Sequence, residues 1–152
     1  MAAGRLDIIN QVKTGLDAIT TGNGYSVTVG GVEKVLRDWN DSETFPRPWI
    51  GFRPAQESYK YEMSHRLRCT LQLQLVAHVT PAAGAVDAVY TQIENLSDDI
   101  IRALRQGVLR SGCAESITLT QTQTTEGDPS SFESASLSML FNIVYYRTEP
   151  TG

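Results

Sequence analysis

From Arg66 to Val79 the chain reads RLRCTLQLQLVAHV, and an apolar residue falls at every second position without interruption. Leu67, Cys69, Leu71, Leu73, Leu75, Ala77 and Val79 make one side, while Arg66, Arg68, Thr70, Gln72, Gln74 and His78 make the other. A period of two sustained this long belongs to a β-strand with one buried face, because successive side chains of an extended chain point to opposite sides. At about 3.3 Å per residue the strand is roughly 45 Å long, well beyond the usual five or six residues. It is therefore expected to cross the whole sheet or project beyond it. Its second side is polar but lightly charged, as a solvated or subunit-facing surface would be, and no catalytic set appears on it.

A chain of 152 residues is read as a single domain over 1–152, long enough to bury about two thirds of its unfolded surface. Thirteen basic against seventeen acidic residues leave a net charge of -4. That weighs against a dedicated nucleic-acid binder, whose affinity comes mainly from Lys and Arg neutralising phosphates. Cys69 and Cys113 are too few for a disulfide framework and form no CxxC pair, so both are read as small buried hydrophobes. No stretch approaches the roughly eighteen apolar residues of a membrane span, and MAAGRLDIINQ lacks the apolar core of a signal peptide. A soluble protein made in a cytoplasm is expected, with no membrane partner.

The chain opens on an expected amphipathic helix from Ala3 to Thr20, with Leu6, Ile9, Val12 or Lys13, Leu16 and Ile19 at three- and four-residue steps. Thr21-Gly22-Asn23-Gly24 stops it. Tyr25, Val27 and Val29 then alternate, Gly30-Gly31 suits a two-residue turn, and Val32 to Leu36 returns, so a first hairpin is expected here. Between Arg37 and Tyr61, Pro46, Pro48 and Pro54 break the pattern, leaving Trp49 to Phe52 as a short edge strand within loop. This stretch holds both tryptophans, and Trp, Phe and Arg are enriched at interface centres. Phe45, Arg47, Trp49, Phe52 and Arg53, with Arg66 and Arg68 of the long strand, are accordingly the candidate subunit or tube interface. The bland reading is a flap over the end of the core.

A second helix is expected from Ala85 to Gln106, with Val86, Val89, Tyr90, Ile93, Leu96, Ile100, Ala103 and Leu104 on its buried side. Its arginines fall late, where the helix dipole favours cations. Asp98-Asp99 is read as part of the solvated face, since adjacent helical residues point about 100° apart and no histidine accompanies them. Ile117 to Thr122 and Ala135 to Tyr145 alternate as two further strands. The polar connection between them carries Glu126, Asp128 and Glu133 and no basic residue, which makes it either a solvated turn or an acidic arm facing a partner or a channel. The expected class is α+β, a mostly antiparallel sheet with two long helices packed on it and a long polar loop between the last two strands.

Groups able to converge on chemistry are few. His65 and His78 are thirteen apart, hence on opposite faces if both lie in the strand, and HExxH, GxSxG, GxxxxGK[ST] and GxGxxG are missing. No catalytic residue, metal or cofactor is expected, and the chain is not read as an enzyme.

Taken together, the N-terminal helix, the small hairpin, the Pro/Trp-rich crossing with Arg47-Pro48 and Arg53-Pro54, the long alternating strand, the helix containing Asp98-Asp99-Ile100-Ile101-Arg102-Ala103-Leu104, and a strand, long polar loop and closing strand ending Tyr145-Tyr146 resemble the tail terminator, or tail completion, proteins of long-tailed bacteriophages. The resemblance covers nearly the whole chain and rests on element order, so no functional residue is carried over by motif. It implies a subunit of a homo-hexameric ring that sits on the last tail-tube ring, ends tube polymerisation and presents a joining surface to the head-tail connector or neck. The implied partners are other copies of the chain, the tail tube protein, the connector and possibly a tail sheath, in a virion assembled in the host cytoplasm. Genome DNA would pass through without specific binding, and an acidic lumen loop would suit that by repelling phosphate. Two alternatives remain: another head-tail neck or adaptor ring protein, and a small cellular module holding a ligand or peptide with its aromatic loop.

Overall fold

The chain runs α1 (Arg5–Asp17), β1 (Gly31–Glu33), β2 (Trp49–Met63), β3 (Arg66–Val79), α2 (Val86–Leu104), β4 (Ser116–Glu126) and β5 (Ala135–Thr148). These elements come from a computed structural model that describes residues 4–36, 48–63, 66–79, 86–126 and 135–148. The long alternating segment is β3 over its full predicted length, and it lies inside a sheet of order β1-β2-β3-β5-β4. β2, β3, β5 and β4 are antiparallel to their neighbours, while β1 adds a short parallel pairing, Gly31 to Glu33 against Trp49 to Gly51.

The apolar side of β3 is the floor of the core. Leu71, Leu73, Leu75, Ala77 and Val79 are fully buried beside Leu137, Met139, Phe141 and Ile143 of β5. The helices close that side, α1 through Ile8, Val12 and Leu16 and α2 through Ile93, Leu96, Ile100 and Leu104. Burying each such aliphatic side chain is worth about 1.5–3 kcal/mol, so this one-sided packing is the main source of stability. Past α2 the helix widens into a π turn, Arg105–Leu109, that brings Gly107 against Gly15 of α1. A Cβ at Gly15 would lie 2.9 Å from the carbonyl oxygen of Ala103, so the two backbones touch where neither has a side chain.

Four expectations are corrected. The helices are not both long: α1 has 13 residues against 19 in α2. The chain leaves α1 early because Asn23 donates from Nδ2 to the Ala18 carbonyl and Thr20 Oγ1 accepts from the Asn23 amide, closing a 3-10 turn. The first hairpin does not form, since the donors it needs are used elsewhere. Asp99 Oδ2 accepts from the amides of Ser26 and Val27 at 3.0 Å each, Ile19 O from Val29, and Pro48 O from Gly30. Asp99 is thus a buried polar anchor, 3% exposed, rather than part of a solvated face, while its neighbour Asp98 is exposed. Finally, β2 does not end at Phe52 but continues through Pro54 for 15 residues. Pro54 sits at a bulge on the outer side of the sheet, where among the described residues no strand needs its missing amide.

Candidate functional site: the bare face of the sheet

Both helices pack on one side of the sheet, so the other side is open across β2, β3, β5 and β4 among the described residues. The antiparallel register sets its side chains in rows. Gln56, Gln72, Asn142 and Thr118 form one row, Ser58, Thr70, Val144 and Ser116 the next, and Gln74, Leu140 and Gln121 lie on the far side of the first. Apart from Val144 and Leu140 the rows are amides and hydroxyls, groups that hold water or a partner by hydrogen bonds without fixed charge. Two shallow, open depressions lie among them, one lined by Gln56, Ser58, Thr70, Gln72 and Asn142, the other by Gln74, Gln121, Gln123, Ser138 and Leu140.

At one end this face turns basic. Arg66 places its guanidinium 4.0 Å from the centre of the Tyr146 ring, and Arg68 Nε lies 3.9 Å from Glu62 Oε1. Arg53, exposed, reaches Gln74 Oε1 at 3.5 Å. It pairs with Gln74, six residues along β3 from Arg68, about 20 Å away along an extended chain. The structure therefore gathers Arg66 and Arg68 but leaves Arg53 apart.

Trp49 and Phe52 are corrected as surface anchors. Phe52 is fully buried in the core, and Trp49 is 1% exposed. Trp49 belongs to the bare side but is covered there: its ring stacks on His78 at 5.4 Å and its Nε1 donates to Glu33 Oε1 at 3.1 Å. His78, assigned from alternation to the polar side, is likewise 2% exposed, with Nδ1 2.8 Å from Ser136 Oγ. A serine beside an imidazole has the composition of a nucleophile–base pair, but at this burial no substrate-sized group reaches the ring. Phe45, Arg47, Asp128, Glu133 and His65 lie outside the described residues, and Glu126 is the last residue of β4. Among the described residues no group of three or more His, Cys, Asp or Glu is placed to hold a metal ion.

Alternation alone missed the carboxylate beneath the helix-side end of the sheet. The Glu57 side chain is 4% exposed. Tyr145 donates its hydroxyl to Glu57 Oε1, Tyr59 donates to Oε2 at 2.9 Å, and Arg5 Nη1 from the start of α1 lies 3.6 Å from Oε2. Burial, then the hydrogen bond to Glu57 and its charge, push the Tyr145 hydroxyl well above the usual tyrosine range. A folded-state pKa above the unfolded value means stability that is full below about pH 10 and is lost as the pH rises beyond it. One such proton gives a slope of at most about 1.4 kcal/mol per pH unit. Urea midpoints measured from about pH 9 to 11 should therefore fall more steeply for the wild type than for Tyr145→Phe; equal slopes would contradict the buried pairing.

No protein-family model and no curated protein sequence matches the chain. Among solved structures it is similar to a chain of the virion of a native gene transfer agent particle, at 8% identity and a TM-score of 0.48, over 95% of this chain and 96% of that one. A likeness of that degree assigns no function here.

Proposed function

We propose that this chain is a structural protein of a phage-like virion, a tail terminator whose copies close into a hexameric ring on the tail tube, end its growth and offer a joining surface to the head connector. The observation that carries the reading is a pair of unlike open edges on a sheet with one bare polar face. Among the described residues β4 has a strand on one side only, and so does β2 beyond Gly51. Direction alternates from β2 to β4, so the two edges run antiparallel to each other. A second copy turned about an axis along the strands brings its β4 beside β2 in antiparallel sense without turning either face over. Bare face continues bare face, and helical layer continues helical layer. Contacts of this unlike-to-unlike kind close into rings when the rotation divides the circle.

In such a ring the bare faces line the channel and the helices lie outside. The central rows lack the cations whose counterion release would hold DNA, although Arg53, Lys60, Arg66 and Arg68 stand on the same face outside them, so a genome could slide past the centre of the channel. Glu126 at the end of β4, with Asp128 and Glu133 of the connection that follows, is the acidic element this reading assigns to the channel or a partner. Partners in this reading are further copies, the tube protein, the connector or neck protein and, in a contractile tail, the sheath. The role is structural, without a cofactor. Light scattering with negative-stain imaging tests it: six copies of a 16.7 kDa chain give a holed particle near 100 kDa, roughly six times the chain mass, alone or on growing tubes. A protein that neither closes into a ring nor stops added tubes from growing is not a terminator. A ring found between head and terminator instead makes it a neck adaptor.

A further inference from the structure

β4 begins at Ser116 opposite Val144, and that row continues through Thr70 to Ser58. Beyond it residues 59–63, 66–69 and 145–148 run on as a three-stranded tongue without β4. The tongue carries Lys60, Arg66, Arg68 and Arg147 against Glu62, a net +3 on a chain whose net charge is -4. It also gathers exposed apolar surface. Tyr59 is 52% exposed and Tyr61 64%, and Leu6, 67% exposed, is held at the same end by the Arg5–Glu57 contact.

We infer that this tongue docks an acidic protein segment that also carries apolar side chains. Exposed tyrosines beside arginines are the composition of interface centres, and a basic end on an acidic chain steers an acidic partner to that end. The chemistries divide between the two faces with one exception, Arg147, which pairs with Leu67 and lies over the Tyr59 ring at 5.7 Å on the tyrosine side. Tyr59 and Tyr61 share the side of Leu67, which faces the helical layer, while Lys60 and Arg68 share the bare side. The edge of β2 between them has no neighbouring strand among the described residues. An extended segment laid along that edge bonds its backbone to β2 and sends alternate side chains to the two faces, apolar ones toward the tyrosines and carboxylates toward Lys60 and Arg68. Nucleic acid fits less well, because bases stacked on Tyr59 and Tyr61 would have only Arg147 beside them, while Lys60, Arg66 and Arg68 lie on the other face. The inference does not depend on ring closure.

The test is fluorescence anisotropy of the full chain with a labelled synthetic peptide alternating Glu and Leu, about ten residues long to match a strand. The comparison probes are a Glu/Ser peptide and a thymidine oligonucleotide of similar length. The Glu/Leu peptide should bind, more weakly at ~200 mM than at ~50 mM salt, and roughly tenfold more weakly to Lys60→Glu and, separately, to Tyr61→Ser. Both side chains are exposed, so unchanged melting temperatures will show that the variants are folded. The proposal is overturned if the Glu/Leu peptide does not bind, if Glu/Ser binds equally, if the oligonucleotide binds more tightly, or if both variants bind like the wild type. Self-association that Lys60→Glu or Tyr61→Ser abolishes and that the peptide does not displace would also overturn it, assigning the tongue to a second copy.

Discussion

Gly51→Ala is expected to cost about 3 kcal/mol, and with it about 10 °C of melting temperature for a domain of this size. A Cβ at this position would lie 2.2 Å from the Val35 carbonyl oxygen and 2.3 Å from Cη2 of Trp49. Neither neighbour can step aside cheaply. The Val35 oxygen is backbone in the segment that follows β1, and Trp49, 1% exposed, is held by its stack on His78 and its bond to Glu33. Relief requires lifting that segment off the sheet, which would uncover an indole on an otherwise polar face. Thermal and urea unfolding measure the loss, with Gly22→Ala as the control, since a Cβ there meets only Thr20 Oγ1 at 3.8 Å. If Gly51→Ala melts within about 1 °C of the wild type, the covering of Trp49 by the segment after β1 is wrong.

The second large effect is expected at Asp99. One carboxylate oxygen accepts both the Ser26 and the Val27 amide, so Asp99→Ala removes two charge-assisted hydrogen bonds at once. The segment between α1 and β1 would lose its anchor to α2, at a cost of about 2 kcal/mol, limited because Ser26 is exposed enough for water to replace part of the loss. Asp99→Asn keeps an oxygen acceptor and should cost less. Hydrogen exchange at the Ser26 and Val27 amides separates this local effect from general destabilisation, since both should exchange faster in the alanine variant even where the core amides do not. Unchanged exchange would remove Asp99 from that role.

The two sites show why parts of the structure were legible beforehand and others were not. Side-chain alternation is local, so β3 and β5, whose buried residues fall at every second position, were read from the chain itself. β2 hid behind Pro54, because a proline ends a strand only if its amide is needed, and the need depends on whether a neighbouring strand lies outside it. The hairpin expected from Tyr25 to Leu36 failed for the converse reason. Its alternation was real, but Asp99, more than seventy residues away in sequence, claimed the amides. The candidate interface divided along the same line. Trp49 and Phe52 have the composition of surface anchors, yet the pairing of β2 with β3 turns one into the core and β1 with its following segment covers the other.

By itself, then, the sequence determined a long one-faced strand, two amphipathic helices to cover that face, a polar second face, and an acidic chain with its aromatic residues and prolines concentrated ahead of the strand. Each follows from periodicity or composition, which neighbouring residues carry locally. Only the tertiary structure decided that, among the described residues, β2 and β4 stand at opposite open edges, that Glu57 and Asp99 are enclosed, and that Lys60 and Arg68 emerge on one side of a tongue and Tyr59 and Tyr61 on the other. Those depend on strand order and on contacts between distant segments, which no local pattern encodes.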